Sequence, residues 1–333
     1  MVSFIISENE SGQRLDRFLR KYLSMAPLSF IYRIIRKDVK INGKRAQEGY
    51  ILSTGDEVKI YAQSEIISKF IRSDNARLKS KTYKRQFSIA YEDKNLLIVN
   101  KPRGMLTHGN KSEKKNHLTN QVINYLIESG EYDPKCEKTF VPSPSNRLDR
   151  NTSGLVIFAK NYNTLRAINS MIRSGTSIGK YYLAIVGGRL NHRLSLVDTL
   201  TKDDVSNRVK IVYIEQGESR FASSKEIRTE VSPVSTIQIK PDKVCTLVEV
   251  KLLTGRTHQI RVHMAQAGYP IVGDPKYGNK ALNQCARQEF GITFQMLCAF
   301  KLTFSNCPDG YEYLNDLKVE INLPKDMKQI IKT

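Results

Sequence analysis

The chain has 333 residues, 40% of them hydrophobic and 26% charged, with a formal net charge of +20. That length can bury a sizeable core and suits two domains, and no run of eighteen apolar residues supplies a membrane-spanning helix. So large a positive excess favours a polyanionic partner, most simply nucleic acid; charge alone does not separate RNA from DNA or from an acidic membrane surface.

The opening MVSFIISENESGQ lacks a basic start followed by an apolar stretch, so no signal peptide is expected and the chain is expected to be cytoplasmic. Residues 1–11 read as a short edge strand or extended arm. Leu15, Phe18, Leu19, Tyr22 and Leu23 then recur at helical spacing, with Arg14, Arg17, Arg20 and Lys21 on the other faces. Pro27 interrupts. A second helix fits Ser29 to Lys37, with Phe30, Ile31, Ile34 and Ile35 inward and Arg33, Arg36 and Lys37 outward. Val39-Lys40-Ile41 runs into Asn42-Gly43, a strong hairpin signal, and a strand over Glu57 to Tyr61 follows a Thr54-Gly55-Asp56 turn. Helix arginines and a tight turn together make a phosphate-binding surface. Residues 63–85 are basic with little periodicity and are predicted to be a linker, mobile until RNA orders it.

From Gln86 a larger domain is predicted. Strands are expected at 87–91, 96–100, 181–186, 209–214, 226–239, 244–253, 295–304 and 316–322, and helices at 117–128 and 162–173. Strands outnumber helices and many neighbours look antiparallel, so the fold class expected is α+β with a mixed, mainly antiparallel central sheet flanked by helices. No G-x-G-x-x-G or G-x-x-x-x-G-K-[ST] occurs, so no nucleotide cofactor is expected. The five cysteines form no C-x-x-C, and His258 and His263 stand five apart rather than four. No metal site is expected, and the thiols read as reduced and structural.

Two segments carry the candidate chemistry. In NRLDRNTSGLVIFAK (146–160), Asp149 stands between Arg147 and Arg150, just before an apolar strand. A carboxylate between cations at a strand end can serve as a nucleophile or base, although a lone R-x-D-R is more often a charged surface loop. In LTGRTHQIRVH (253–263), Thr257 is the expected helix N-cap and Gly268 the stop, with Ile260, Met264 and Ala267 inward. Tyr182 in KYYLAIVGG reads, from the strand alone, as a core tyrosine. Lys101-Pro102-Arg103-Gly104 before Thr107-His108-Gly109 reads as an ordinary strand-end turn.

These strings resemble the RluA-type pseudouridine synthases. NRLDRNTSGL is similar to that family's H-R-L-D-x-x-T-S-G-L segment, KYYLAIVGG to its K-x-Y-L-A-x-V-x-G strand, KPRG…H to its N-K-P-x-G…H segment, and LTGRTHQIRVH to its third motif. SFIYRIIRKDVKINGKR (29–45) looks like the alpha-L RNA-binding motif. The resemblance spans roughly residues 12–325. It implies an alpha-L RNA-binding domain at 12–62, the linker at 63–85 and a catalytic domain at 86–325.

The activity implied is cofactor-free isomerisation of uridine to pseudouridine at several positions of large-subunit rRNA, carried out by a monomer. It makes Asp149 the catalytic residue, attacking the ribose or abstracting a sugar proton, with Tyr182 stacking on the base and moving a proton. It makes Arg261 the partner of Asp149, with Arg256 the rival. The RNA or substrate contacts implied are Arg33, Arg36, Lys37, Lys44, Arg45, Lys101, His108, Arg147, Arg150, Arg256 and His258. Asn146 and Asn151 depart from the His and Asp usual in the family; Asn still offers local turn bonding. The alternatives are the same chemistry on tRNA or other rRNA sites, a non-catalytic RNA-binding assembly factor, and a DNA-binding regulator, for which no recognition helix is evident.

Overall fold

The computed structural model describes residues 1–71, 84–110, 113, 115–203, 208–211 and 225–331. The N-terminal part is a four-stranded antiparallel sheet in the order β1-β4-β2-β3: β1 (Val2–Ile5), β4 (Glu57–Ile60), β2 (Val39–Ile41) and β3 (Lys44–Arg45). Of the edge strand or extended arm expected within 1–11, the edge strand forms, over Val2–Ile5. Asn42 and Gly43 both have positive φ, 50° and 79°, as the tightest hairpin turn requires. The Asn42 amide closes that turn by donating to Asp56 at 2.8 Å. Helices α1 (Leu15–Tyr22) and α2 (Leu28–Lys37) lay Leu15, Phe18, Leu19, Ile31, Ile34 and Ile35 on the sheet. Arg33, Arg36, Lys37, Lys44 and Arg45 are all exposed.

The segment expected to be a mobile linker differs in its first third. Residues Ser64–Phe70 form a helix, α3. Its Ile67 is fully buried, and its Phe70 ring lies 4.6 Å from Phe30. Two apolar contacts three residues apart suffice to seat so short a helix, and a periodicity of two positions is too brief to stand out from sequence. Residues 72–83 of the proposed linker lie outside the described residues.

The larger part is α+β. Its sheet runs β10-β9-β11-β12-β8-β13-β7-β6-β5, with β14 paired to β13. The strands are β5 (Ser88–Glu92), β6 (Leu96–Lys101), β7 (Ser153–Ala159), β8 (Ile178–Gly187), β9 (Leu194–Asp203), β10 (Arg208–Ile211), β11 (Lys225–Lys240), β12 (Lys243–Leu252), β13 (Leu297–Phe304) and β14 (Lys318–Glu320). The strand expected at 209–214 is described only to 211. Every pairing is antiparallel except β7 with β13, which makes the sheet mixed. Strand β7 is buried at every position, as a continuous apolar run at a sheet centre should be. Each of its large side chains contributes about 1.5–3 kcal/mol by leaving water.

Helices α4 (Leu118–Glu128), α5 (Tyr162–Ser174), α6 (Gln259–Gln266), α7 (Lys280–Phe290) and α8 (Lys325–Ile331) pack around the sheet. Asn161 caps α5 by accepting from the Thr164 amide at 2.9 Å, and Gly175 ends it at φ 75°. No helix among the described residues is long and apolar enough to cross a membrane.

The two parts touch through polar groups. Asn9 accepts from the Tyr162 amide at 3.0 Å and donates to Glu137. The fully buried Glu10 accepts from the Lys138 amide at 3.2 Å. Lys21, exposed on the basic face as expected, also lies over the Tyr162 ring, 4.8 Å from its centre.

Candidate active site

The loop before β7 carries Asp149, and its shape is held from several sides. Asn146, standing where the resembling family has His, accepts from the Ile157 amide at 2.8 Å and donates to the Leu155 carbonyl at 3.2 Å. Thr107 donates to the Leu148 carbonyl at 2.9 Å and accepts from the Leu148 amide at 3.2 Å. The Thr152 amide donates to the Asp149 carbonyl at 3.1 Å. These bonds fix the backbone, and the carboxylate remains 28% exposed at a cavity of about 800 Å³. Tyr182, Lys180, His108, Arg256 and His258 also line that cavity.

The cations flanking Asp149 in sequence are not its partners. Arg147 is exposed, and Arg150 pairs with Glu113 at 2.8 Å. The carboxylate instead accepts from Arg261 Nη1 at 2.9 Å, across 112 residues of chain. Arg261 and not Arg256 is therefore the paired arginine. Its other edge is gripped by Asp274, from Nε at 2.7 Å and Nη2 at 2.8 Å. Its guanidinium also lies 5.2 Å from the Tyr277 ring centre. Burial works against the Arg261 charge, but the carboxylates of Asp274 and Asp149 outweigh it and raise its pKa. Two carboxylates share one guanidinium, so the trio keeps one net negative charge. Asp149 is the member that faces the cavity, because Asp274 is buried.

Arg261 sits on α6. That helix does not begin at Thr257: the N-cap is His258, left-handed at φ 56°. The left-handed residue turns the chain sharply and places the His258 ring inward, with Nδ1 3.0 Å from the Tyr277 hydroxyl and Nε2 3.7 Å from Asp149. Burial lowers the pKa of His258, with Asp149 opposing. Gln259 braces the same turn, accepting from the Arg256 amide at 3.1 Å and donating to the Arg228 carbonyl at 2.9 Å. Ile260 and Met264 are buried as expected, whereas Ala267 is only half-buried. His263 is buried behind the helix with Nδ1 2.8 Å from Thr229, and burial pushes its pKa down to about 4.

Tyr182 is 7% exposed on the cavity face of β8. Burial, then the nearby Asp149 charge, raises its phenol far above the ordinary tyrosine value. The group therefore stays protonated at neutral pH, able to give a proton and to offer an aromatic face.

The resemblance places Lys101 among the RNA or substrate contacts, but it is fully buried and does not line the cavity. Its amine donates to the carbonyls of Met105 at 2.8 Å, Pro102 at 3.0 Å and Arg150 at 3.1 Å. It thus ties the loop after β6 to the loop of Asp149. Burial pushes its pKa down to about 7, with Asp149 opposing. His108 is exposed at the cavity edge; partial desolvation of its ring, then the Arg147 charge, lowers its pKa.

Asp274, Tyr277 and Gln259 were not found from sequence. The Gly273-Asp274-Pro275 turn is the only local signal for the first two, and it says turn rather than site. Among the described residues no group of three or more His, Cys, Asp or Glu side chains could hold a metal ion.

Residues 95–266 match the family described as RNA pseudouridylate synthase, which is more than half the chain. The chain belongs to that family. This synthase is accordingly an isomerase. It is 33% identical over 332 residues to the ribosomal large subunit pseudouridine synthase C of Haemophilus influenzae, covering 98% of this chain and 92% of that one. The protein of the same description from Pasteurella multocida is 34% identical over 337 residues, covering 98% and 91%. In fold the synthase resembles human RNA pseudouridylate synthase domain containing 4, with a TM-score of 0.56 at 20% identity, covering 74% of this chain and 92% of that one.

Proposed function

We propose that this synthase converts uridine to pseudouridine at several sites of large-subunit rRNA, with Asp149 as its catalytic residue. The observation that carries the reading is the Asp149 carboxylate held at the cavity by Arg261 at 2.9 Å beside the buried Tyr182. The rRNA target is supported by the names of relatives that match nearly the full chain.

The reaction breaks the N1–C1′ bond, turns the uracil, joins C5 to C1′ and releases the C5 proton. An anionic group must act at the ribose. Asp149 supplies it, by adding to C1′ or by removing a sugar proton. Arg261 fixes the direction of that carboxylate and is itself fixed by Asp274. Tyr182 offers the loose base a stacking face and, being protonated, can deliver or relay a proton. Extruding the uridine from folded RNA costs a few kcal/mol. Phosphate contacts offset this, and the exposed Arg33, Arg36, Lys37, Lys44 and Arg45 suit that task. On this reading residues 12–62, extended by α3, form an RNA-gripping domain and residues 86–325 the catalytic one. The enzyme works as a cytoplasmic monomer.

Tritium released from [5-³H]uridine in unmodified large-subunit rRNA tests the reading. Wild type should release it and Asp149→Asn should fall at least 10³-fold. Equal release by both removes Asp149 from its role. Release from tRNA but not from rRNA moves the substrate and leaves the chemistry.

A further inference from the structure

A buried ammonium without a counterion is costly, so a fold rarely keeps one that does nothing. Lys101, Lys160 and Lys180 are all buried. Lys101 gives its donors to three carbonyls. Lys160 pairs with Glu92 at 2.8 Å and with Glu131. Lys180 is 8% exposed, and among the described residues no carboxylate pairs with it and no acceptor takes a hydrogen bond from it. Burial alone lowers its pKa. It stands two residues before Tyr182 on β8, so both side chains project from the same face of the sheet, and both line the cavity of Asp149. Its amine lies beside Gly255, where an added methyl would come to 4.0 Å from Nζ. Asp149, the one carboxylate lining the cavity among the described residues, is already taken by Arg261.

We propose that Lys180 is a binding residue for the target nucleotide, its ammonium receiving an anionic oxygen of the uridine held beside Asp149 and Tyr182. This rests on the reading of the cavity as the active site. The oxygen has two possible sources with one chemistry. One is a phosphate flanking the extruded uridine. The other is a uracil carbonyl oxygen, which gains charge when the electron pair of the N1–C1′ bond leaves with the base. That pair stays on uracil and takes up a proton at N1, while C5 bonds to C1′ and the C5 proton passes to solvent, so nothing is oxidised or reduced.

The test compares full-length wild type, Lys180→Met and Lys180→Arg on a [5-³H]uridine transcript of large-subunit rRNA. Single-turnover release, RNA Kd against salt, and thermal midpoint are measured for each. Lys180→Met should lose at least tenfold in release or in affinity, while its thermal midpoint stays level or rises, because an unpaired buried charge has been removed. Lys180→Arg should keep more function than Lys180→Met. A loss confined to the saturating rate, with Kd within twofold, places the uracil oxygen at Lys180. A loss in Kd, with the slope of log Kd against log salt reduced by about one, places the phosphate there. Either supports the assignment. Rate and Kd both within twofold for Lys180→Met overturn it, as does a fall in thermal midpoint with Lys180→Arg no better than Lys180→Met, the mark of a structural strut. Wild type that releases no tritium from rRNA or tRNA overturns the reading of the cavity instead, and this assignment with it.

Discussion

Asp274 is buried behind the cavity, yet the geometry of Asp149 depends on it. Arg261 has rotatable bonds enough to leave the cavity, and the two-pronged grip of a buried carboxylate removes that freedom. Removing one partner of a buried pair costs about 3–5 kcal/mol. Asp274→Asn should therefore lower the unfolding free energy by that order, and release of tritium should fall although Asp149 itself is untouched. The pair also sets an acid limit. Burial works to raise the Asp274 carboxyl, but Arg261 and the amides of Lys276 and Tyr277 prevail and hold it below the ordinary carboxylate value of 3.8. Between those two values the unfolded chain binds more protons than the folded one, so stability falls as pH drops through the window. This contribution is complete above about pH 4. Thermal midpoints from pH 2.5 to 6 should decline more steeply in acid for wild type than for Asp274→Asn. Parallel declines would count against the pair as the acid-sensitive element.

Strand β7 delivers the Asp149 loop to the cavity, and its first residues meet β13 in the sheet's parallel pairing. Gly154 permits that approach. Its φ is +118°, and a Cβ there would stand 2.2 Å from the Ala299 carbonyl oxygen, a backbone atom that cannot swing aside. Gly154→Ala should destabilise the fold by about 3 kcal/mol or more through backbone strain and displacement of the strands, read as a lower urea midpoint at unchanged slope. A midpoint equal to wild type would mean that the strands can part without loss. Helix α6 makes the same point from the other side. Its left-handed start at His258, clamped by Gln259, sets where Arg261 emerges.

The chain as a unit joins a basic N-terminal part to the Asp149 cavity through a polar interface. Asn9, Glu10 and Lys21 fasten the N-terminal part to Glu137, Lys138 and Tyr162. Such an interface limits rotation between the two parts. Charge on the outer face then governs affinity rather than chemistry. Arg33→Gln with Arg36→Gln should reduce the slope of log Kd against log salt by about two for an rRNA fragment. Its turnover at saturating RNA should stay near wild type. An unchanged slope would remove these arginines from the phosphate contacts.

Local physics was legible in the residues themselves. Helical spacing found α1 and α2, Asn42-Gly43 found its turn, and the apolar run after Asp149 found a central strand, because each depends on neighbours in the chain. Family resemblance singled out Asp149, Tyr182 and Arg261, which the fold brings to one cavity. What sequence missed depends on distant partners. Asp149 is flanked by two arginines yet bonds a third, because Arg150 turns to Glu113 while Arg261 is buried and already aimed by Asp274. The resemblance makes Lys101 an RNA contact, whereas it is an internal tie, and Lys180, part of a strand motif, is a cation with no carboxylate partner among the described residues. One-dimensional order determined which groups are present and which local elements they form. Only the crossing of β7, β8 and α6 decided which charges are paired, because electrostatic partnership depends on separation in space and on burial, and neither is a function of separation along the chain.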